Sequence, residues 1–241
     1  MKYYKILTVA AITVLSVLML SGSRAPEPLT EKQLYDKIRA QTVTLVSPEN
    51  KNRGGTGFVL NSPTGSKFTI TNAHVCKLSR SGFMVARLAD GDIVHLPIVA
   101  ISEETDLCAL HALPGLAGLN LAFTMEMYEA VYIIGHPLLH PASFAGGYVN
   151  GRSPIDVVEM TEDCRGKNKR IEMIDTIFGP VPLCFIRVDA NWSDVKIYPG
   201  NSGSAVVNQY GDVVGVAFAG NMANFGYFIP LDELEEFLLS E

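Results

Sequence analysis

"YPGNSGSAVV", residues 198–207, places a serine between an asparagine and a glycine, just after Pro199-Gly200 and just before an apolar run. Two readings of Ser202 compete. One is an ordinary tight turn feeding a strand; the other is a nucleophile held at a corner where backbone N–H groups face a substrate. A serine hydroxyl attacks poorly until a base takes its proton, and the base works best when a third group orients it. The decision rests on whether the rest of the chain offers a histidine and a carboxylate at strand ends or in loops.

Downstream of Ser202, "SAVVNQ", "DVVGVAFAG" and "FGYFIP" read as short strands, with "NQYGD" as a hairpin turn. Upstream, "TVTLV", "TGFVLN", "KFTITN", "GFMVARL", "DIVHLPIVAI", "DLCALHAL", "AVYIIG", "FAGGYVNG", "IDVVEM" and "LCFIRVDA" continue the pattern, with "SPTGS" and Asp90-Gly91 as turns. Short strands with turn signals every eight to twelve residues predict an all-β chain, an antiparallel barrel or sandwich. Only the ends read as helical. Thr30 and Gln33 match a capping box ahead of Leu34 and Ile38, predicting a helix over 30–39. Asp232 and Glu235 match a second, with Leu231, Leu234, Phe237 and Leu238 as its apolar stripe.

The chain has 241 residues, 48% of them apolar, enough for a substantial core. It opens with Lys2 and Lys5, an apolar run over 6–20 and the small-residue stretch "SGSRA". That order predicts an export signal over residues 1–25. Pro26 fits poorly as a first mature residue, so a cut near Ser23 and an uncleaved N-terminal anchor are the alternatives. The whole chain carries a net charge of −6, and removing a leader with three basic and no acidic side chains makes the remainder more acidic. Nucleic acid and anionic membrane surfaces are therefore not expected partners. A membrane contact is expected only if the N-terminal segment stays on. Cys76, Cys108, Cys164 and Cys184 form an even set behind an export signal, which reads as two disulfides with three connectivities open. No CxxC occurs, and no metal or other cofactor is expected.

His74 stands at the end of a predicted strand in "TITNAHVC", and Asp106 at the start of one in "ETDLCAL". The other histidines have plainer readings. His95 alternates with apolar neighbours on a solvated strand face, and His111 suits a partly buried strand. His136 and His140 are four apart, but Pro137 opposes the helix that a metal pair needs.

The order His74, Asp106, Ser202 and the local contexts resemble the trypsin-like serine peptidases of the chymotrypsin fold, in particular the bacterial HtrA-type, or trypsin-2, group. "GTGFVL" resembles the strand before the histidine, "TNAHV" the histidine motif, "TDLCAL" the aspartate motif and "IIGHP" the turn opening the second barrel. "YPGNSGSAV" resembles the nucleophile motif, and "GDVVGVAFAG" with "GYFIPLDELEEFL" the substrate-binding strand and closing helix. The resemblance covers roughly residues 32–239. It implies two antiparallel six-stranded barrels, at about 40–125 and 126–230, within one peptidase domain over 26–241.

The same resemblance implies that Ser202 attacks the scissile carbonyl, that His74 shuttles the proton and that Asp106 holds His74. Gly200 and Ser202 N–H groups would form the oxyanion hole. Ala217, Phe218, Ala219 and the neighbourhood of Gly226 would line a pocket for a small or medium apolar side chain, unless Lys196 recruits an acidic one. If the triad forms, Cys76 and Cys108 are drawn together, and Cys164–Cys184 closes a loop as in many relatives. Protein or peptide substrates and a secreted or periplasmic location are implied. No PDZ-like domain is expected after the closing helix, and the oligomeric state is open.

Several positions depart from the family pattern. Ser204 stands for a glycine, Ala205 for a proline, Asn201 for the aspartate of digestive relatives and Ala217 for a serine that supports the triad aspartate. The segments 138–190 and 189–199 are long. Two other functions compete: an α/β-hydrolase esterase, which needs Gly-x-Ser-x-Gly with its histidine last, and an exported binding module on an inactive peptidase fold. Ser204 and the early His74 oppose the first. A fluorophosphonate, which labels only an activated serine, separates the second.

Overall fold

The computed structural model describes residues 26–88, 91–159, 164, 168–177, 179–220 and 225–241. The proposed leader, residues 1–25, and Asp90 of the Asp-Gly turn lie outside the described residues. The helix α1 (Glu31–Arg39) begins at the capping box read from Thr30 and Gln33, and buries Leu34 and Ile38. Six strands follow: β1 (Thr42–Val46), β2 (Gly54–Asn61), β3 (Lys67–Asn72), β4 (Phe83–Arg87), β5 (Ile93–Ser102) and β6 (Leu107–His111). They close into an antiparallel barrel in the order β1-β2-β3-β6-β5-β4. One turn of helix, α2 (Ala73–Cys76), leaves the end of β3.

The second half contains β7 (Ala130–Gly135), β8 (Ser143–Glu159), β9 (Lys169–Thr176), β10 (Gly179–Ser193), β11 (Ala205–Asn208), β12 (Val213–Gly220) and β13 (Gly226–Pro230). They form a seven-stranded sheet, β13-β12-β11-β7-β8-β10-β9, with a further β13–β10 pairing that bends it back on itself. The expectation of six strands here needs correction. The seventh, β9, pairs only with β10, outside the loop of pairings made by the other six.

A second correction concerns β8, which is one 17-residue strand where two were read. Arg152-Ser153-Pro154 lies between the two readings. β7 pairs with β8 only as far as Tyr148, however, so Pro154 faces β10 on one side and no strand of the described residues on the other. Proline's missing N–H is tolerated at such a sheet edge.

One apolar core joins the two halves. Phe58, Leu60, Ile70 and Leu107 of the first meet Ile134, Val188, Ala205, Val207 and Phe218 of the second. The first and last helices contribute to it, through Leu34 and Ile38 of α1 and Leu234, Phe237 and Leu238 of α3 (Leu231–Leu239). α3 starts at Pro230 with no side-chain cap, so the second capping box does not form. Asp232 instead accepts both carboxylate hydrogen bonds from Arg152, at 2.9 and 2.8 Å. Among the described residues no helix is long and apolar enough to cross a membrane.

Disulfides join Cys76 to Cys108 and Cys164 to Cys184, with Cα separations of 6.5 and 5.5 Å. The first ties α2 to β6 inside the first barrel, where both cysteines are fully buried. Removing a native disulfide costs about 2–5 kcal/mol in small secreted domains. The double variant Cys76→Ala/Cys108→Ala is therefore expected to stay folded at 20 °C with a markedly lower Tm in calorimetry. The same Tm as wild type would show that this bridge adds nothing to stability.

Candidate active site

Ser202 lies on the loop from β10 into β11, where the backbone turns twice. Tyr198–Asn201 is a β-turn closed by Asn201 N–H to Tyr198 O at 2.9 Å, with Pro199 second and Gly200, at φ 95°, third. Proline fixes the second position, and the positive φ at the third suits glycine. A side chain at Gly200 would also collide with His136 O and Leu138 N.

Every peptide plane through this segment is held by at least one of its two polar groups. Pro199 C=O accepts from Leu138 N–H at 2.7 Å, Asn201 C=O from Ser204 N–H at 3.0 Å, and Ser202 C=O from Thr56 N–H at 2.8 Å. Gly200 C=O accepts from the Thr56 hydroxyl at 2.8 Å, and Gly203 N–H donates to Ala217 O at 2.7 Å. Among the described residues, the amides of Gly200 and Ser202 have no acceptor. In a trans peptide N–H and C=O point opposite ways. Fixing the Pro199 and Asn201 carbonyls therefore fixes the direction of those two N–H groups as well, each away from its carbonyl's donor.

His74 sits on α2 and Asp106 just before β6. Asp106 Oδ2 lies 2.7 Å from His74 Nδ1, while Oδ1 accepts the His74 backbone N–H at 2.9 Å. A carboxylate only accepts, so neutral His74 carries its proton on Nδ1 and leaves Nε2 unprotonated. Asp106 has φ 54°, a left-handed conformation that aspartate tolerates better than most residues. Its own carbonyl accepts from Ala73 N–H at 3.0 Å and Asn72 Nδ2 at 3.1 Å. The β3–α2 junction thus holds the backbone of Asp106, and His74 alone holds its carboxylate among the described residues. α2 and the serine turn converge over Gly55, where a side chain would lie 2.7 Å from Ser202 O and 2.8 Å from a Val75 methyl. The Ser202 hydroxyl donates to Phe218 O at 3.2 Å.

Around the mouth, Ala217 and Phe218 of β12 are buried, and Ala219 and Gly226 stand on the paired strands β12 and β13. Lys196 is exposed and its neighbour Ile197 is buried. Ile197 packs between Gly220 and Gly226. Sequence reasoning missed Ile197, whose signal was the alternation Val195-Lys196-Ile197. It also missed Thr56, which had no chemical signal beyond its place in "GTGF".

With this geometry in place, comparison with known proteins identifies the surroundings. Residues 55–216 match the family model described as a trypsin-like peptidase domain. A putative serine protease HhoA of Synechocystis is 24% identical over 88% of this chain and 49% of its own length. Protease Do-like 2 of Arabidopsis thaliana is 28% identical over 73% of this chain and 27% of its own. The chain thus spans about half or less of the length of these relatives. Among solved structures, the active form of the Rv3671c protease of M. tuberculosis superposes with a TM-score of 0.65 at 20% identity, covering 90% of this chain and 91% of that one. This last likeness concerns the fold.

His136, behind the serine turn, generates a test. Its backbone N–H donates to Thr56 Oγ1 at 3.0 Å, and its ring Nδ1 to His140 O at 3.1 Å. Nε2 is buried with no partner among the described residues. Burial holds the imidazole below its ordinary pKa, since a second proton there would find no acceptor. The folded state therefore favours neutral His136, and its contribution is complete above the ordinary histidine range. As pH falls past about 6.5, the unfolded chain takes up a proton that the folded chain refuses, until the lower folded value is passed. The Tm of wild type should accordingly fall faster than that of His136→Gln between pH 7.5 and 5. Parallel curves would refute the assignment.

Proposed function

Because the chain belongs to the trypsin-like peptidase domain family, we propose that it is an exported serine endopeptidase that hydrolyses peptide bonds through an acyl-enzyme. The observation that carries this reading is the 2.7 Å contact of Asp106 Oδ2 with His74 Nδ1, beside a serine turn with two amides that have no acceptor among the described residues. It supplies a base of defined tautomer, and the turn supplies a ready site for developing negative charge.

The reaction then runs as follows. Ser202 exchanges its bond to the Phe218 carbonyl for one to His74 Nε2. Its oxygen attacks the scissile carbonyl as the proton passes to Nε2. The resulting oxyanion is stabilised by the N–H groups of Gly200 and Ser202. Asp106 stabilises the imidazolium, which gives its proton to the departing amine as the C–N bond breaks. Water repeats the sequence on the ester, delivering its proton to His74 and releasing the acid and free Ser202. The side chain before the scissile bond enters between Ala217–Ala219 and Gly226. Ile197 narrows that space, favouring a small or medium apolar residue. Two disulfides suit an oxidising compartment, which supports export with residues 1–25 as the leader.

Cleavage of β-casein, followed by mapping of the cut sites, tests the reading. Ser202→Ala should leave the fold intact and lower turnover by about 10⁴–10⁶-fold. Undiminished cleavage would exclude Ser202 as nucleophile. Asp106→Asn should cost about 10⁴-fold near neutrality, since the amide favours the wrong tautomer of His74. The wild-type rate should rise with pH through one ionisation as His74 loses its second proton. A rate flat from pH 5 to 9 would deprive His74 of its role.

A further inference from the structure

Thr56 is fully buried at the start of β2, in the first barrel, and nearly all of its polar groups are turned toward the second. Its N–H donates to Ser202 O at 2.8 Å. Its hydroxyl lies 3.0 Å from His136 N and 2.8 Å from Gly200 O. Its carbonyl accepts from the Thr71 hydroxyl at 2.7 Å. A backbone N–H can only donate, so His136 occupies a lone pair of Thr56 Oγ1. The single hydroxyl proton therefore goes to Gly200 C=O. The two bonds orient each other, and the hydroxyl cannot turn without losing both.

Gly200 is the one residue of the turn whose backbone has unusual freedom. Its amide is also one of the two that face the developing oxyanion. The peptide before it is held by Leu138 N–H, and the peptide after it by Asn201 N–H at one end and the Thr56 hydroxyl at the other. Leu138 has a left-handed φ of 52° and Leu139 one of 60°, in a short turn that is mostly exposed. Such conformations are unfavourable for leucine, so this turn holds Pro199 C=O while itself lacking local preference. The buried side-chain tie to Gly200 is the one supplied by Thr56.

We propose that the Thr56 hydroxyl is a positioning group for the oxyanion hole: by bridging His136 N–H and Gly200 C=O it keeps Gly200 N–H aimed at the substrate oxygen. The proposal rests on the serine-peptidase reading. It acts through Gly200, and Thr56 touches no reacting atom. Substrate binding by the pocket on β12 and β13 does not involve it.

The experiment compares wild type with Thr56→Val, which keeps the shape and loses the hydroxyl, and Thr56→Ser, which restores it. The substrate is a fluorogenic peptide built on the mapped β-casein site. Thr56→Val should lower kcat by about 10–100-fold, below the loss of a hole donor itself, with KM within about twofold. Thr56→Ser should recover most of it. Affinity for the matching peptide aldehyde, whose hemiacetal places an oxygen in the hole, should fall with kcat, while affinity for the corresponding peptide alcohol, which has no carbonyl to place there, stays unchanged. If Thr56→Val does not fold, Thr56→Cys, a weaker donor, should show the same split at smaller amplitude. A folded Thr56→Val or Thr56→Cys with wild-type kcat overturns the proposal alone. Loss of alcohol affinity in step with kcat also overturns it, as a general structural effect. A wild type that neither cleaves casein nor reacts at Ser202 removes the peptidase reading, and this proposal with it.

Discussion

The contact on which the rest depends is the tie between Thr56 and the serine turn. One residue of the first barrel gives its N–H to Ser202 O and its hydroxyl to Gly200 O. The histidine and aspartate belong to the first barrel and the serine to the second half. Chemistry among them requires the two halves to be fixed relative to one another to a fraction of an ångström. An apolar interface alone fixes area and approximate shape. Directional bonds to the very turn that bears Ser202 fix its place, and burial of Thr56 makes them costly to break.

This constraint accounts for the small residues around it. Gly55 lets α2 and the Ser202 carbonyl approach the same point of β2. Ser204, where relatives have glycine, is fully buried and fits because Gly135 stands opposite its hydroxyl. Ala217 has its side chain in the core of the second half and its backbone bonded on both sides, to Gly203 N–H and Ser204 C=O. Asn72 and Ala73 hold the backbone of Asp106, in the first barrel itself, and His74 holds its carboxylate. Among the departing positions, Ser204 thus finds room, while its hydroxyl and the Asn201 side-chain oxygen are buried with no hydrogen-bond partner among the described residues.

Much of this was legible in the sequence, and the exceptions have physical causes. Strands such as Phe58-Val59-Leu60 announce themselves because burial imposes an apolar pattern. β9, "KRIEMIDT", was not read because it is exposed along most of its length and nothing imposes alternation. The capping box at Thr30 formed because Thr30 and Gln33 are exposed and bond each other, whereas Asp232 was drawn to Arg152. His74, Asp106 and Ser202 stood out through residue type and local motif. Thr56 and Leu138 did not, because what they contribute is a hydrogen bond to a backbone group far along the chain. Threonine in a strand is ordinary, and a backbone amide leaves no mark on composition.

The central claim is that the fold presents one activated serine. The most direct measurement is intact-mass analysis of the native protein after exposure to a fluorophosphonate, followed by peptide mapping. The account predicts a single adduct on the peptide containing Ser202, absent when the protein is first denatured. No adduct, or labelling spread over several serines, would contradict it.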